Sequence, residues 1–190
     1  HHLIATVTRC AEMRISVARP DLLLLAALYH DIGKGYGRPH AQVGAEMITR
    51  QAARMRLSVA DRSCAQTLVA EHTTLARLAA TMDPASDAAR DALLAAAHYD
   101  QLTISLLAVL AEADAQSTGP GVWTPRVKQA QKLIVARALE ALKPRVLSRP
   151  AVHVPLSTEG VALKVDWEDQ EVSVSWCGTS QGELKRIFAL

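Results

Sequence analysis

The sequence has few aromatic residues and lacks a long apolar segment. Phe, Trp and Tyr together make up 4% of the 190 residues, and there is a single Phe. The longest apolar run, residues 22–29, is far shorter than the roughly 20 residues that a transmembrane helix requires. The chain also carries no signal-peptide pattern. We therefore expect no association with a membrane.

Cysteine and excess charge are scarce as well. The three cysteines, Cys10, Cys64 and Cys177, are scattered and contain no C-x-x-C pair. This excludes a disulfide framework and a cysteine zinc site, and it predicts a reducing, cytoplasmic location. The formal net charge is +2, whereas nucleic-acid-binding domains usually carry a basic stripe. No nucleic-acid partner is expected.

Apolar residues are abundant, at 49% of the chain, with Ala and Leu dominating. Helical spacing of apolar residues predicts seven helices, at about 1–17, from Pro20 into the segment LLLLAALY, and at 40–57, 59–80, 88–98, 102–116 and 125–142. LLLLAALY is apolar on every side, which predicts the central helix of a bundle. The chain lacks an initial Met and stops within an apolar pattern, so we expect it to be a piece of a longer protein.

After Pro144 the composition changes. Val-rich alternating segments at 161–166 and 171–176 predict two strands, and a helix is expected from Glu183 onwards. The fold class is therefore mainly α: a helical bundle over 1–145, a linker over 146–160 and a partial α+β module over 161–190.

The segment LYHDIGKGYGRPHAQVGAE, residues 28–46, is unusual because an apolar helix ends in a histidine and an aspartate. His30 and Asp31 continue the buried helix directly. Glycines and a proline predict a loop after them, and His40 opens the next helix. A metal site would use such residue types, although His40 alone could equally be an ordinary N-terminal helix residue.

Two further polar residues lie on apolar helical faces. Asp114 shares a face with Leu107 and Leu110, and His72 shares one with Leu68. A buried carboxylate must be paired, hydrogen-bonded or metal-bound. Taken singly, His72 could be a hydrogen-bonded core histidine and Asp114 a partner of an arginine. Together with His30 and Asp31 they favour a metal such as Mn, Fe, Zn, Co or Ni over Ca.

These residues resemble the HD-domain metal-dependent phosphohydrolases, over roughly residues 1–140. The resemblance implies the primary metal ligands His2, His30, Asp31 and Asp114, and a second site completed by His40 and His72. Since His1 and His2 are adjacent, they could instead be the remainder of a purification tag.

The resemblance also implies catalytic roles for Asp31 and Lys34, and a substrate mouth formed by Lys34, Gly35, Gly37 and Arg38.

The strings HDIGKG, EHTTLARLA and AEADAQSTGPGVW narrow the resemblance. They are similar to the HD domain of the bifunctional PII uridylyltransferase/uridylyl-removing family, in which two ACT domains follow. The segments VSVSW and ELKRIFAL resemble the start of an ACT domain, although GTSQGEL departs from the usual turn.

The narrower resemblance implies removal of a uridylyl or adenylyl group from a tyrosine of a PII protein. It also implies one or two Mn2+ or Mg2+ ions, with Fe or Zn as alternatives, and glutamine as an effector through the ACT modules of the full-length enzyme.

Two alternatives stay open. The chain could be another HD phosphohydrolase, acting on a nucleotide such as guanosine tetraphosphate, or the HD part of a tRNA nucleotidyltransferase. It could also be a non-catalytic metal-binding regulatory module. No base-reading motif in the sequence distinguishes uridylyl from adenylyl.

Overall fold

The computed structural model describes residues 1–143 and the backbone of residues 162–168 and 171–177. The chain divides into two compact units, His1–Lys143 and Pro144–Leu190. The predicted linker over 146–160 and the predicted last helix from Glu183 lie outside the described residues. The domain boundaries proposed from the sequence stay predictions.

The first unit is helical, which confirms the mainly α class predicted for it. A short 3-10 turn, Arg14–Ser16, follows the first helix. The α-helices are α1 (His2–Met13), α2 (Pro20–Tyr29), α3 (His40–Arg54), α4 (Val59–Ala70), α5 (Thr74–Thr81), α6 (Asp87–Ala96), α7 (Gln101–Thr118) and α8 (Pro125–Ala141).

Several helix starts follow from local sequence. Proline occupies the first turn of α2 and of α8, where its missing N–H leaves no hydrogen bond unmade. In four helices a polar residue just before the helix accepts a hydrogen bond from a backbone N–H of the first turn. These capping residues are Ser58, Ser86, Asp100 and Thr124.

The prediction of one helix over 59–80 is wrong. The chain leaves the helical conformation at Glu71, where φ is −108° and ψ is 10°, and α5 begins only at Thr74. Both helices bury leucines in the same core, for example Leu68 and Leu75. The helical spacing of apolar residues therefore continues across the break, and this spacing alone does not indicate where one helix ends and the next begins.

Helix α2 lies in the middle of the unit, in contact with α1, α3, α4 and α7. Leu22 and Leu23 are almost completely buried, whereas Leu28 is 47% exposed. The central position agrees with the apolar character of the segment, but one side of its last turn reaches solvent.

Helix α3 packs very closely on this central helix. A Cβ at Gly44 would lie 2.8 Å from the carbonyl oxygen of Tyr29 and 2.9 Å from Cγ1 of Val69. Only glycine allows this approach without displacement. The close packing brings the start of α3 next to the end of α2, where His30 and Asp31 follow.

The second unit is described by a hairpin of two antiparallel strands, β1 (Ala162–Glu168) and β2 (Glu171–Cys177). Val165 lies opposite Val174, and Glu168 lies opposite Glu171. The ACT-like assignment of this unit stays a prediction.

Among the described residues no single helix is long and apolar enough to cross a membrane. Helices α6 and α7 meet the criteria of length and apolar composition only when taken together, and they are bent by 102° at the break between them.

Candidate metal centre

Side chains from five helices meet at one open cleft of about 270 Å3. These side chains lie at or directly beyond the ends of four of the helices and in the last turns of α7. The structure brings together all six residues predicted as metal ligands: His2 at the start of α1, His30 and Asp31 after α2, His40 at the start of α3, His72 after α4 and Asp114 in α7. His2, rather than the exposed His1, faces this cluster.

The two most buried histidines are held by the same local arrangement. Each follows the last residues of a helix and is almost completely buried. Nδ1 of His30 donates to the carbonyl oxygen of Ala27 at 2.7 Å, and Nδ1 of His72 donates to that of Val69 at 2.8 Å. In each neutral ring the proton is therefore on Nδ1, and Nε2 presents a lone pair to the cleft.

The first group of candidate metal ligands, called the first group below, consists of His2, His30, Asp31 and Asp114. Nε2 of His2 lies 2.9 Å from Oδ1 of Asp114 and 3.4 Å from Oδ2 of Asp31. Nε2 of His30 lies 3.5 Å and 3.6 Å from the same two oxygens. Four ligand atoms thus surround one small volume.

The second group of candidate metal ligands, called the second group below, consists of Asp31, His40 and His72. Oδ1 of Asp31 lies 3.6 Å from Nε2 of His40 and 4.0 Å from Nε2 of His72. Since Oδ2 faces the first group, the two oxygens of Asp31 are divided between the groups. If both groups held an ion, Asp31 would contribute one oxygen to each of them.

The donor set fits a divalent metal ion. Nδ1 of His2 contacts the carbonyl oxygen of Ser117 at 3.3 Å, so its Nε2 also carries a lone pair when the ring is neutral. This Nε2 lies 3.4 Å from Nε2 of His30. Two lone pairs at that distance repel each other unless a proton or a cation lies near them. Imidazole nitrogens with carboxylate oxygens suit Mn, Fe, Co, Ni or Zn.

Electrostatics also favour positive charge in the first group. Burial opposes the charged form of His30, but its hydrogen bond to Asp114 and the nearby carboxylates outweigh burial and raise its pKa. Burial likewise opposes the charged form of Asp114, but His30 and the other histidines outweigh this and lower its pKa.

His72 and Cys10 behave differently. Burial, with the charges of neighbouring histidines, lowers the pKa of His72, so its ring is kept in the neutral form that binds metals. Burial, with the charge of Asp114, raises the pKa of Cys10 to about 12. Cys10 is not a member of either group of candidate ligands.

The predicted substrate residues are placed in two different ways. Lys34 lines the cleft, and its ammonium pairs with Oδ2 of Asp31. Gly35 and Gly37 have φ values of 90° and 68°, a conformation that favours glycine. Arg38 pairs with Glu46 on the surface. In the described part of the chain, Gly35, Gly37 and Arg38 are not among the residues that line the cleft.

Two threonines that were not predicted from the sequence also line the cleft. Thr73 precedes α5, and its hydroxyl has no hydrogen-bond partner within residues 1–143. Thr118 ends α7, and its hydroxyl donates to the carbonyl oxygen of Asp114. The strings EHTT and STGPG contain them, but a hydroxyl within a helical pattern gives no signal of its own.

Comparisons with known proteins identify a family for this chain. The family model of the HD domain matches residues 1–118. A Corynebacterium glutamicum protein named bifunctional uridylyltransferase/uridylyl-removing enzyme is 57% identical over 189 residues, which cover 100% of this chain and 26% of that protein. Proteins with the same name from Mycobacterium tuberculosis and Streptomyces coelicolor are 35% and 42% identical, and they cover 82% and 65% of this chain.

The chain spans about a quarter of the length of the first of these relatives, at 26%, and less of the other two, at 21% and 15%. The matched family segment contains every residue of the two ligand groups. On the match over residues 1–118, the chain belongs to the HD domain family, and it is similar to a part of the bifunctional uridylyltransferase/uridylyl-removing enzymes.

Proposed function

We propose that this chain is a metal-dependent phosphodiester hydrolase that removes a nucleotidyl group from a tyrosine of a PII signalling protein. One observation carries the proposal: the two oxygens of Asp31, which lines an open cleft, face two different groups of histidines. Paired metal sites of this kind are used for phosphoester hydrolysis. The relatives are named uridylyl-removing enzymes, which supports the nucleotidyl substrate.

The donor set favours Mn2+ over Mg2+, because Mg2+ prefers oxygen ligands. When bound, such an ion lowers the pKa of water and makes hydroxide available near neutral pH. His30 and His72 act as rigid ligands, since a backbone carbonyl holds each ring. Asp114 and His2 complete the first group.

Lys34 is proposed to stabilise the transition state. Lys34 lines the cleft and its side chain is 61% exposed, so a phosphoryl oxygen can reach it. Charge that develops on the phosphate during hydrolysis would be offset there. The Thr73 hydroxyl lines the same cleft and can donate a hydrogen bond to another phosphate oxygen.

A protein substrate is consistent with the surface around the cleft. The loop that carries Lys34 exposes two large side chains, Ile32 at 38% and Tyr36 at 60%. Exposed apolar and aromatic side chains beside a reactive cleft provide contact area for a partner protein. Regulation by glutamine through ACT modules belongs to the same proposal, and it concerns the longer proteins to which this chain is similar.

The test is hydrolysis by the purified chain after metal removal and addition of Mn2+. We expect release of the nucleotide from nucleotidylated PII protein, measured as the mass loss of the modified tyrosine, and cleavage of bis(p-nitrophenyl) phosphate. Asp31→Asn should abolish both, whereas Asp91→Asn, on the surface beside Arg90, should leave both unchanged.

Variants of Lys34 separate binding of metal from chemistry. Lys34→Ala should lower kcat by about 100-fold with an unchanged metal content, because removal of one transition-state contact typically has that effect. Metal binding without any hydrolysis would favour the regulatory module instead. Hydrolysis of guanosine tetraphosphate in preference to nucleotidylated PII would favour another HD phosphohydrolase.

A further inference from the structure

A second cleft, of about 320 Å3, opens at the end of α7. It is formed by the last residues of the string AEADAQSTGPGVW together with a residue of α1, and the metal centre uses none of its side chains. The lining residues are Arg9, Gln116, Gly119, Pro120, Gly121 and Trp123.

The two clefts are neighbours along the pair of helices α1 and α7. Thr118 lines the metal cleft, and the next residue, Gly119, lines the second cleft. On α1, Arg9 follows His2 by seven residues, which places both on one face at about 10 Å along the helix axis. The lining residues of the two clefts therefore follow one another along the same two helices.

The second cleft contains an oriented carboxamide. Oε1 of Gln116 accepts a hydrogen bond from the Arg9 guanidinium at 3.2 Å, and Nε2 donates to Glu112 at 2.9 Å. These two bonds define which end of the amide is the acceptor. One N–H and one lone pair remain for a ligand. Within residues 1–143 no carboxylate pairs with Arg9.

The second cleft also contains an aromatic side chain. The half-buried indole of Trp123 follows a turn in which Gly119 and Gly121 have φ values of 150° and 93°. An added Cβ would meet no atom at either glycine. The glycines are therefore required by the backbone conformation that turns the chain from α7 to Trp123, and not by close packing.

We propose that this second cleft binds the base of the nucleotidyl group whose phosphate lies at the metal centre; the inference rests on the proposed function. The metal cleft is lined by ligands, Lys34 and threonines, and it offers a base no aromatic surface except the ligand imidazoles. Trp123 supplies such a surface, and bases of any kind stack on aromatic rings. The Gln116 amide matches an edge with a donor beside an acceptor, which both uracil and adenine present.

The experiment measures binding to the full 190-residue chain by calorimetry in Mn2+. The probes are uridine 5′-monophosphate, adenosine 5′-monophosphate and ribose 5-phosphate, which has no base. We expect at least one nucleotide to bind about tenfold more tightly than ribose 5-phosphate, since stacking of one base typically has this magnitude. The preferred nucleotide distinguishes a uridylyl from an adenylyl substrate.

Three variants locate the effect. Trp123→Ala should remove the tenfold advantage of the nucleotide, and Trp123→Phe, which keeps an aromatic ring, should restore most of it. Gln116→Leu should weaken the preference between the two bases. Arg126→Ala, an exposed arginine in the first turn of α8, is the matched control and should bind all three probes as the wild type does.

Equal binding of ribose 5-phosphate and both nucleotides by the wild type would overturn the inference. A second contradicting result concerns the variants. If Trp123→Ala lost the same affinity for all three probes, and Trp123→Phe did not recover full affinity for any of them, the inference would also be overturned. The proposed function fails separately, through the absence of Asp31-dependent hydrolysis of bis(p-nitrophenyl) phosphate, a substrate without a base. The binding measurement does not depend on that hydrolysis.

Discussion

The two ligand groups share Asp31 but differ in how firmly the protein holds them. In the first group, backbone carbonyls contact Nδ1 of both histidines, and Asp114 adds a second carboxylate. In the second group only His72 is held in this way. His40 has a side chain that is 34% exposed, and its Nδ1 has no partner in residues 1–143.

The side chains of the first group are therefore held more rigidly than those of the second group, although both groups lie in one cleft. A preformed set of ligands loses less conformational freedom when an ion binds. The first group also carries more negative charge, with two carboxylates against one. We therefore expect the first group to bind a divalent ion more tightly than the second.

The largest effect should come from the residue that the groups share. Asp31→Asn should remove bound metal from both groups and weaken the affinity for Mn2+ by more than about 100-fold, because even outer-shell partners cost about 10- to 100-fold. Metal content after dialysis, measured by mass spectrometry, checks this. Retention of one full equivalent would show that the groups do not depend on a common carboxylate.

Removal of one buried histidine from each group compares them directly. His72→Ala should lose the weaker ion and keep about one equivalent at high affinity. His30→Ala should lose the tighter ion, and the highest measured affinity should fall by at least the roughly 10- to 100-fold that loss of an outer-shell partner costs. Calorimetric titration with Mn2+ gives both values. Equal losses in the two variants would contradict the proposed difference.

Substitution of Gly33, in the loop before α3, can disturb the second group selectively. A Cβ at Gly33 would lie 2.2 Å from the carbonyl oxygen of His40, so Gly33→Ala must displace the start of α3. We expect a loss of about 1–3 kcal/mol in the free energy of unfolding and loss of the weaker ion. Denaturant unfolding and metal stoichiometry measure the two effects.

Gly35 provides the matched control for Gly33. A Cβ there would meet nothing within 4 Å, although its φ of 90° makes alanine strained. Gly35→Ala should therefore cost about 1–2 kcal/mol of stability but leave both ions bound. Loss of the weaker ion in Gly35→Ala as well would indicate that loop strain, rather than displacement of His40, disturbs the second group.

The smallest effect is expected at Arg38. Its ion pair with Glu46 is exposed, and such pairs contribute little to stability. Arg38→Ala should leave metal stoichiometry and the unfolding midpoint within experimental error of the wild type. A clear change in Mn2+ affinity would place Arg38 closer to the second group than its present contacts indicate.

Much of the fold could be predicted because helices can be recognised in a sequence by the spacing of apolar residues and by their capping residues. Pro20 and Pro125 start helices where the sequence predicted them. The break after Ala70 could not be predicted, since both helices bury their leucines in one core and the spacing continues. Tertiary contacts, rather than local preference, decide that break.

The candidate site could be predicted in outline because it is costly to bury histidine and aspartate on apolar helix faces unless they are hydrogen-bonded, paired or bound to a metal. The sequence could not show that the two oxygens of Asp31 face different groups. Nor could it show that Gly33 and Gly44 are needed for close approach of chain segments, since glycine in a loop and glycine in a helix give no distances. The second cleft depends on Arg9 and Trp123, which are far apart in the chain.

The carbonyl groups behind His30 and His72 have one more consequence. In many metal sites the outer partner of a histidine is a carboxylate side chain, and a single substitution can delete it. Here the partners are the peptide oxygens of Ala27 and Val69, which every amino acid possesses. The orientation of these two rings is thus encoded in the path of the backbone, so side-chain exchange at Ala27 or Val69 changes packing but leaves the outer shell intact. Only an edit of the peptide bond itself, such as an amide-to-ester replacement in the neighbouring linkage, would weaken it.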